Sequence, residues 1–160
     1  MGTPYSLLVD AFLRRVELDR AYFFYRDMDD SSALFIARQR AFSFLDEACS
    51  RIMLEGMPSV DFTLGDDPDG SFAFDLTQGE RLLVTSLMLE AYMARDIARL
   101  KTLDVNFTGT ELRVFDPSNA RKTFLAMYES VKAQNESLLD TYRNTDRLSG
   151  KLCPIDYSGY

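Results

Sequence analysis

The sequence predicts a mainly α fold: a four-helix bundle-like domain with a short β-hairpin insertion and an extended C-terminal tail. Three observations carry this. Apolar residues recur at three- and four-residue spacing through four segments separated by Gly, Pro and Asp breaks. Between the second and third segments, at about 60–76, the period shifts to two. Beyond residue 143 the helical period stops while apolar side chains continue, so 1–143 reads as the helical domain and 144–160 as the tail.

The first helix is expected over 5–18, where Tyr5, Leu8, Val9, Phe12, Leu13 and Val16 share a face, with Thr3 as N-cap and Pro4 in the first turn. The run Ala21-Tyr22-Phe23-Phe24-Tyr25 follows; four consecutive aromatics cannot all enter one core from one helix face, which leaves a kink or a contact surface. A second helix should start after Ser31 or Ser32 and run to about Leu54, burying Leu34, Ala37, Ala41, Phe44, Leu45, Ala48 and Ile52, with Gly56 and Pro58 as its stop. Phe62/Leu64 and Phe72/Phe74/Leu76 alternate around the turn Gly65-Asp66-Asp67-Pro68-Asp69-Gly70, the pattern of a hairpin. Thr77 and Glu80 form a capping box that opens a third helix at about 78–101. That helix is apolar nearly all round, and Ser86 with Glu90 make the one strip able to meet solvent or a partner. After a connection with a short strand expected at 111–115, Asp116 and Pro117 begin a fourth helix. Ala120, Phe124, Met127, Tyr128, Val131, Leu138 and Tyr142 share its face, which Asn135 interrupts.

Composition excludes several functions. Among 160 residues there is no His, which removes His-based triads, proton shuttles and His-ligated zinc. Two cysteines, Cys49 and Cys153, are too few for a disulfide scaffold, and both are expected as free thiols, Cys49 buried. The mean hydropathy is -0.17 and no apolar run is long enough for a membrane span. The net charge of -7 is concentrated: residues 61–80 carry six acidic and no basic side chains, while the remainder is nearly balanced. No basic stripe for gripping DNA is present. Basic residues are Arg-rich, 14 Arg against 4 Lys, as at protein interfaces.

Motifs that suggest chemistry have plainer readings. In the acidic turn, placing Gly70 at the sixth position of a calcium loop puts Gly65 and Leu76 where carboxylates are required, so Asp66, Asp67 and Asp69 read as a solvated turn and no metal is expected. The opening Met1-Gly2-Thr3-Pro4-Tyr5-Ser6 matches an acylation pattern without a supporting basic patch. The sequons at Asn106 and Asn135 carry little meaning in a chain that shows no export signal. Glu90 is the best candidate for a buried carboxylate, and with no second carboxylate, nucleophile or phosphate loop beside it, an ion pair with an Arg is expected rather than catalysis. No catalytic residue and no cofactor are assigned.

From Leu76 onward the chain resembles a family of small proteins encoded in the head-and-neck gene clusters of tailed bacteriophages and prophages. In that family a Leu-Thr-x-x-Glu opening leads into a long apolar helix with Met and a Glu-Trp-Leu element. Here the matching residues are Leu76-Thr77-Gln78-Gly79-Glu80 and Leu87-Met88-Leu89-Glu90-Ala91-Tyr92, without the Trp. Val114-Phe115, Ser118-Asn119-Ala120 and Leu138-Leu139-Asp140-Thr141-Tyr142 match the family's downstream Phe segment, helix start and Leu-Leu-x-x-Tyr ending.

The resemblance implies a structural, non-enzymatic virion protein of the head–tail interface, made in the host cytoplasm: a connector or adaptor subunit in a ring, commonly twelve-fold, on the portal. Its implied partners are the portal protein, identical subunits, the next neck or tail-completion protein, and passing DNA without specific binding; no membrane is implied. By analogy with connectors, Leu152, Ile155, Tyr157 and Tyr160 are expected to engage the portal or a neighbouring subunit. The acidic hairpin would face the lumen or the tail and repel phosphates. The competing reading is a soluble assembly or regulatory factor that binds one partner transiently.

Overall fold

Tyr5–Arg15 forms helix α1 because Tyr5, Leu8, Val9, Phe12 and Leu13 fall on one face, and all five are buried. In this computed structural model, which describes residues 2–16, 29–106 and 117–153, three further helices complete a mainly helical, bundle-like arrangement. They are α2 (Asp30–Arg51), α3 (Gln78–Asn106) and α4 (Pro117–Arg143). The aromatic run at 21–25, the strand expected at 111–115 and Asp116 lie outside the described residues.

α2 starts earlier than its serines suggest, because Asp29 is the cap. Its carboxylate accepts from the Ser32 amide at 3.1 Å and from the Ser31 hydroxyl, which together hold its pKa well below the usual range. Its buried face carries Ala33, Ala37, Ala41, Phe44, Leu45, Ala48 and Cys49. Leu34, expected in that stripe, is 41% exposed, and Ala33 is buried instead. The helix then widens into a π-turn at Ile52–Gly56. Gly56 is buried where α4 approaches closely: an added Cβ would stand 3.3 Å from the Tyr142 ring, which would have to give by a few tenths of an ångström. The left-handed residue ending the helix is Met57, φ 47°.

The hairpin expected at 60–76 does not form. Of its alternating apolar residues Phe62, Phe72 and Leu76 are buried and Leu64 and Phe74 half-buried, but the backbone pairs elsewhere. Phe72 N–H donates to Thr3 O at 2.9 Å, Thr3 N–H to Phe74 O at 3.1 Å, and Tyr5 N–H to Gly70 O at 3.0 Å. Thr3 is therefore not the N-cap of α1; its hydroxyl accepts from the Leu76 amide at 2.8 Å, and Pro4 occupies the cap position without a side-chain bond. Tyr5 completes the seam: its hydroxyl accepts from Gly65 N–H at 3.1 Å and its ring meets Phe72 edge-on at 5.0 Å. The segment thus donates Phe62, Phe72 and Leu76 to the core and uses the chain's first residues as its partner.

α3 is the central helix. Leu83, Val84, Leu87, Met88, Ala91, Tyr92 and Met93 are buried, whereas Leu82 is 56% exposed, so its apolar belt is not closed. On α4 Leu139 is buried and Phe124, Tyr128, Val131, Leu138 and Tyr142 are half-buried; Met127 points outward. Replacing Thr3 by Val leaves the buried Leu76 amide without an acceptor. Thr3→Val should lower the unfolding free energy by about 1–3 kcal/mol in urea denaturation, with faster hydrogen exchange at Leu76.

Candidate functional site

Two buried carboxylates organise the polar interior. Glu90, 6% exposed, accepts from Arg51 at 2.7 Å and from Asn135 Nδ2 at 2.7 Å. The same amide donates to Ser86 O at 3.1 Å, so α2, α3 and α4 meet in one polar layer. The Ser86/Glu90 strip, read from the sequence as able to meet solvent or a partner, faces these neighbouring helices, and the Arg ion pair expected for Glu90 is made by Arg51: Ser86 is 2% exposed and Asn135 fully buried. Burial opposes the Arg51 charge, but hydrogen bonds to Glu90 and Glu55 outweigh it and raise its pKa.

Glu80, 1% exposed, is the second carboxylate. It closes the capping box, accepting from Thr77 N–H at 2.7 Å while Thr77 Oγ1 accepts from Glu80 N–H at 3.2 Å. Its other oxygen accepts from Arg147 Nε at 2.6 Å and from the Tyr142 hydroxyl at 3.1 Å. Burial first, then the adjacent Glu80 charge, pushes the Tyr142 phenol up. Arg147 also donates to Asp75 O and lies 4.7 Å over the Phe74 ring.

Arg147 belongs to a loop at the start of the C-terminal tail. The tail expected to be extended from 144 is not so over 144–153, which turns back on itself because its backbone groups find partners within the loop: Thr145 and Leu152 form an antiparallel bridge, Gly150 N–H reaches Asp146 O at 2.8 Å, and Cys153 N–H reaches Asn144 O at 2.8 Å. Gly150 sits at φ 65°, a conformation its missing side chain permits. On this loop Leu148 is 81% and Leu152 77% exposed. A cavity beside it is lined by Met57, Pro58, Tyr142, Arg147 and Cys153, which brings the loop next to the exposed Met57. The arrangement offers apolar contact area on a pinned loop. Ile155, Tyr157 and Tyr160 lie outside the described residues.

The acidic turn is exposed at Asp66, Asp67 and Asp69, and Asp67 closes it by accepting from the Asp69 amide at 3.0 Å. Among the described residues no group of three His, Cys, Asp or Glu could hold a metal ion, and no helix is long and apolar enough to cross a membrane. Sequence reasoning missed Arg51, Tyr142 and Arg147, whose partners are distant in the chain. A signal existed for one contact: Asn135 breaks the apolar face of α4 as Ser86 and Glu90 break that of α3. The chain matches no family model, no curated protein and no solved structure.

Two predictions follow from these environments. Glu80→Gln should cost about 3–5 kcal/mol, because Arg147 is left with its charge unpaired; Arg147→Met in that background should cost under about 1 kcal/mol more, giving a large coupling in a double-mutant cycle. Burial, reinforced by Asp46, pushes the Cys49 thiol up to about 12. The folded state keeps this thiol neutral, so its contribution to stability is full below the unfolded value of about 8.5 and is lost as pH rises toward the folded one. At pH 8, iodoacetamide should modify the exposed Cys153 and reach Cys49 only after unfolding, as read by intact mass.

Proposed function

We propose that this chain is a structural virion protein of a tailed phage, a head–tail connector subunit that forms a ring on the portal through which DNA passes. The observation that carries the reading is the pinned loop 144–153 with Leu148 and Leu152 in solvent. Burying one leucine is worth about 1.5–3 kcal/mol, and a loop already ordered by Glu80 and its own hydrogen bonds loses little entropy on docking. The likeness of Leu76–Tyr142 to the phage neck family supplies the kind of partner.

In this reading Leu152, Ile155, Tyr157 and Tyr160 form the C-terminal segment's contact with the portal or an adjacent subunit, and the exposed Asp66, Asp67 and Asp69 face the lumen or the tail. The fixed turn suits that placement, since Tyr5 holds its backbone at Gly65 and Gly70 and leaves the carboxylates outward. Negative charge there would discourage adhesion of passing DNA.

Native mass spectrometry of the protein alone and with a portal protein from the same genome tests this. A ring-sized species, formed alone or only on the portal, is expected, and Leu148→Asp with Leu152→Asp should weaken assembly at least tenfold without unfolding the domain. A monomer or dimer indifferent to the portal would overturn the connector reading and favour the transient assembly factor.

A further inference from the structure

A second groove, of about 340 Å³, runs beside the last turn of α2. Cys49, Met53, Leu54, Phe62 and Leu64 line it, with the exposed Asp46 at its wall. Leu54 is 79% exposed and Met53 39% exposed, so this apolar surface is open. Met53 sulfur accepts from the Phe62 amide at 3.4 Å, which ties the groove wall to its floor. Methionine adapts its shape to irregular apolar ligands.

We propose that residues 154–160 of this same chain dock into this groove, with Ile155 and Tyr157 as anchors. The segment after Cys153 is long enough to reach the groove. Cys153 lines the smaller cavity together with Met57 and Pro58, and Met57 lies only three residues beyond Leu54 of the groove. Three residues separate α-carbons by at most about 11 Å, whereas the seven residues after Cys153 reach about 23 Å when extended. The second argument is pattern. In an extended chain Ile155 and Tyr157 point to one side and Asp156 and Ser158 to the other. One face is then apolar enough for Met53, Leu54 and Leu64, and the face carrying Asp156 remains in water, away from Asp46. The third is connectivity: a short tether raises the local concentration of the tail to the millimolar range, which favours its own groove over that of another copy. This inference goes beyond the connector reading and does not rest on it. It gives the free subunit a place to cover the side chains that a partner would otherwise take up.

The test uses methionine ε-methyl NMR on the full chain, on a chain ending at Cys153, and on Ile155→Asp with Tyr157→Asp. Met53 and Met57 resonances should shift in both variants, the buried Met88 should not, and a peptide of residues 151–160 should return the truncated chain's resonances toward those of the full chain. The full-chain positions should persist on tenfold dilution. Unshifted Met53 and Met57 would overturn the proposal, and positions that revert to those of the truncated chain on dilution would show that the occupant is a second copy. A chain that fails this test but still assembles on the portal would leave the connector reading intact, and the reverse outcome would leave the groove assignment intact.

Discussion

The buried carboxylate of Glu80 is the constraint on which the rest of the structure depends. It caps the first turn of α3, receives the hydroxyl of Tyr142 from the end of α4, and holds Arg147 of the C-terminal loop, all from a position 1% exposed. A carboxylate so buried is tolerable only when its oxygens are fully engaged. The net worth of such a pair is small, because desolvation offsets most of the attraction, but removing one partner strands a charge. The consequence is geometric: α3, α4 and the loop have one mutual arrangement in which all the donors meet Glu80.

The Glu90 layer does the same work one interface away. Arg51 from α2 and Asn135 from α4 converge on one oxygen of Glu90, so a one-residue slip of α4 would carry Asn135 into apolar surroundings and leave Glu90 short of a donor. Apolar packing alone is forgiving of such slips. The two polar centres therefore give the bundle its register, and the apolar contacts of Phe12, Phe44 and Tyr92 supply the driving force. A fixed interior is what allows Leu148 and Leu152 to be presented outward at a defined place.

Much of this was legible in the residues, and the illegible part has physical causes. The stripe Tyr5, Leu8, Val9, Phe12, Leu13 and the Thr77/Glu80 box are local, so their readings from spacing agree with the structure. The alternation in 62–76 was also real, but a period of two reports one buried face of an extended segment and says nothing of its hydrogen-bond partner. That partner turned out to be Thr3 to Tyr5, about seventy positions away, and no hairpin formed. That Glu90 is buried and pairs with an Arg was legible from its apolar helix, but not that the Arg is Arg51 or that Asn135 joins it, since both are distant in the chain. Leu152 was singled out in the sequence by analogy, whereas Leu148 stands out only in the structure, where the loop's own bonds leave both in solvent.

Hydrogen exchange across residues 144–153 in the Glu80→Gln protein tests the central claim most directly. If the carboxylate organises this end of the molecule, protection at Gly150 and Cys153 should fall together with that of the first amides of α3, while α1 keeps its protection. A loop that retains full protection without the Glu80 charge would contradict the account.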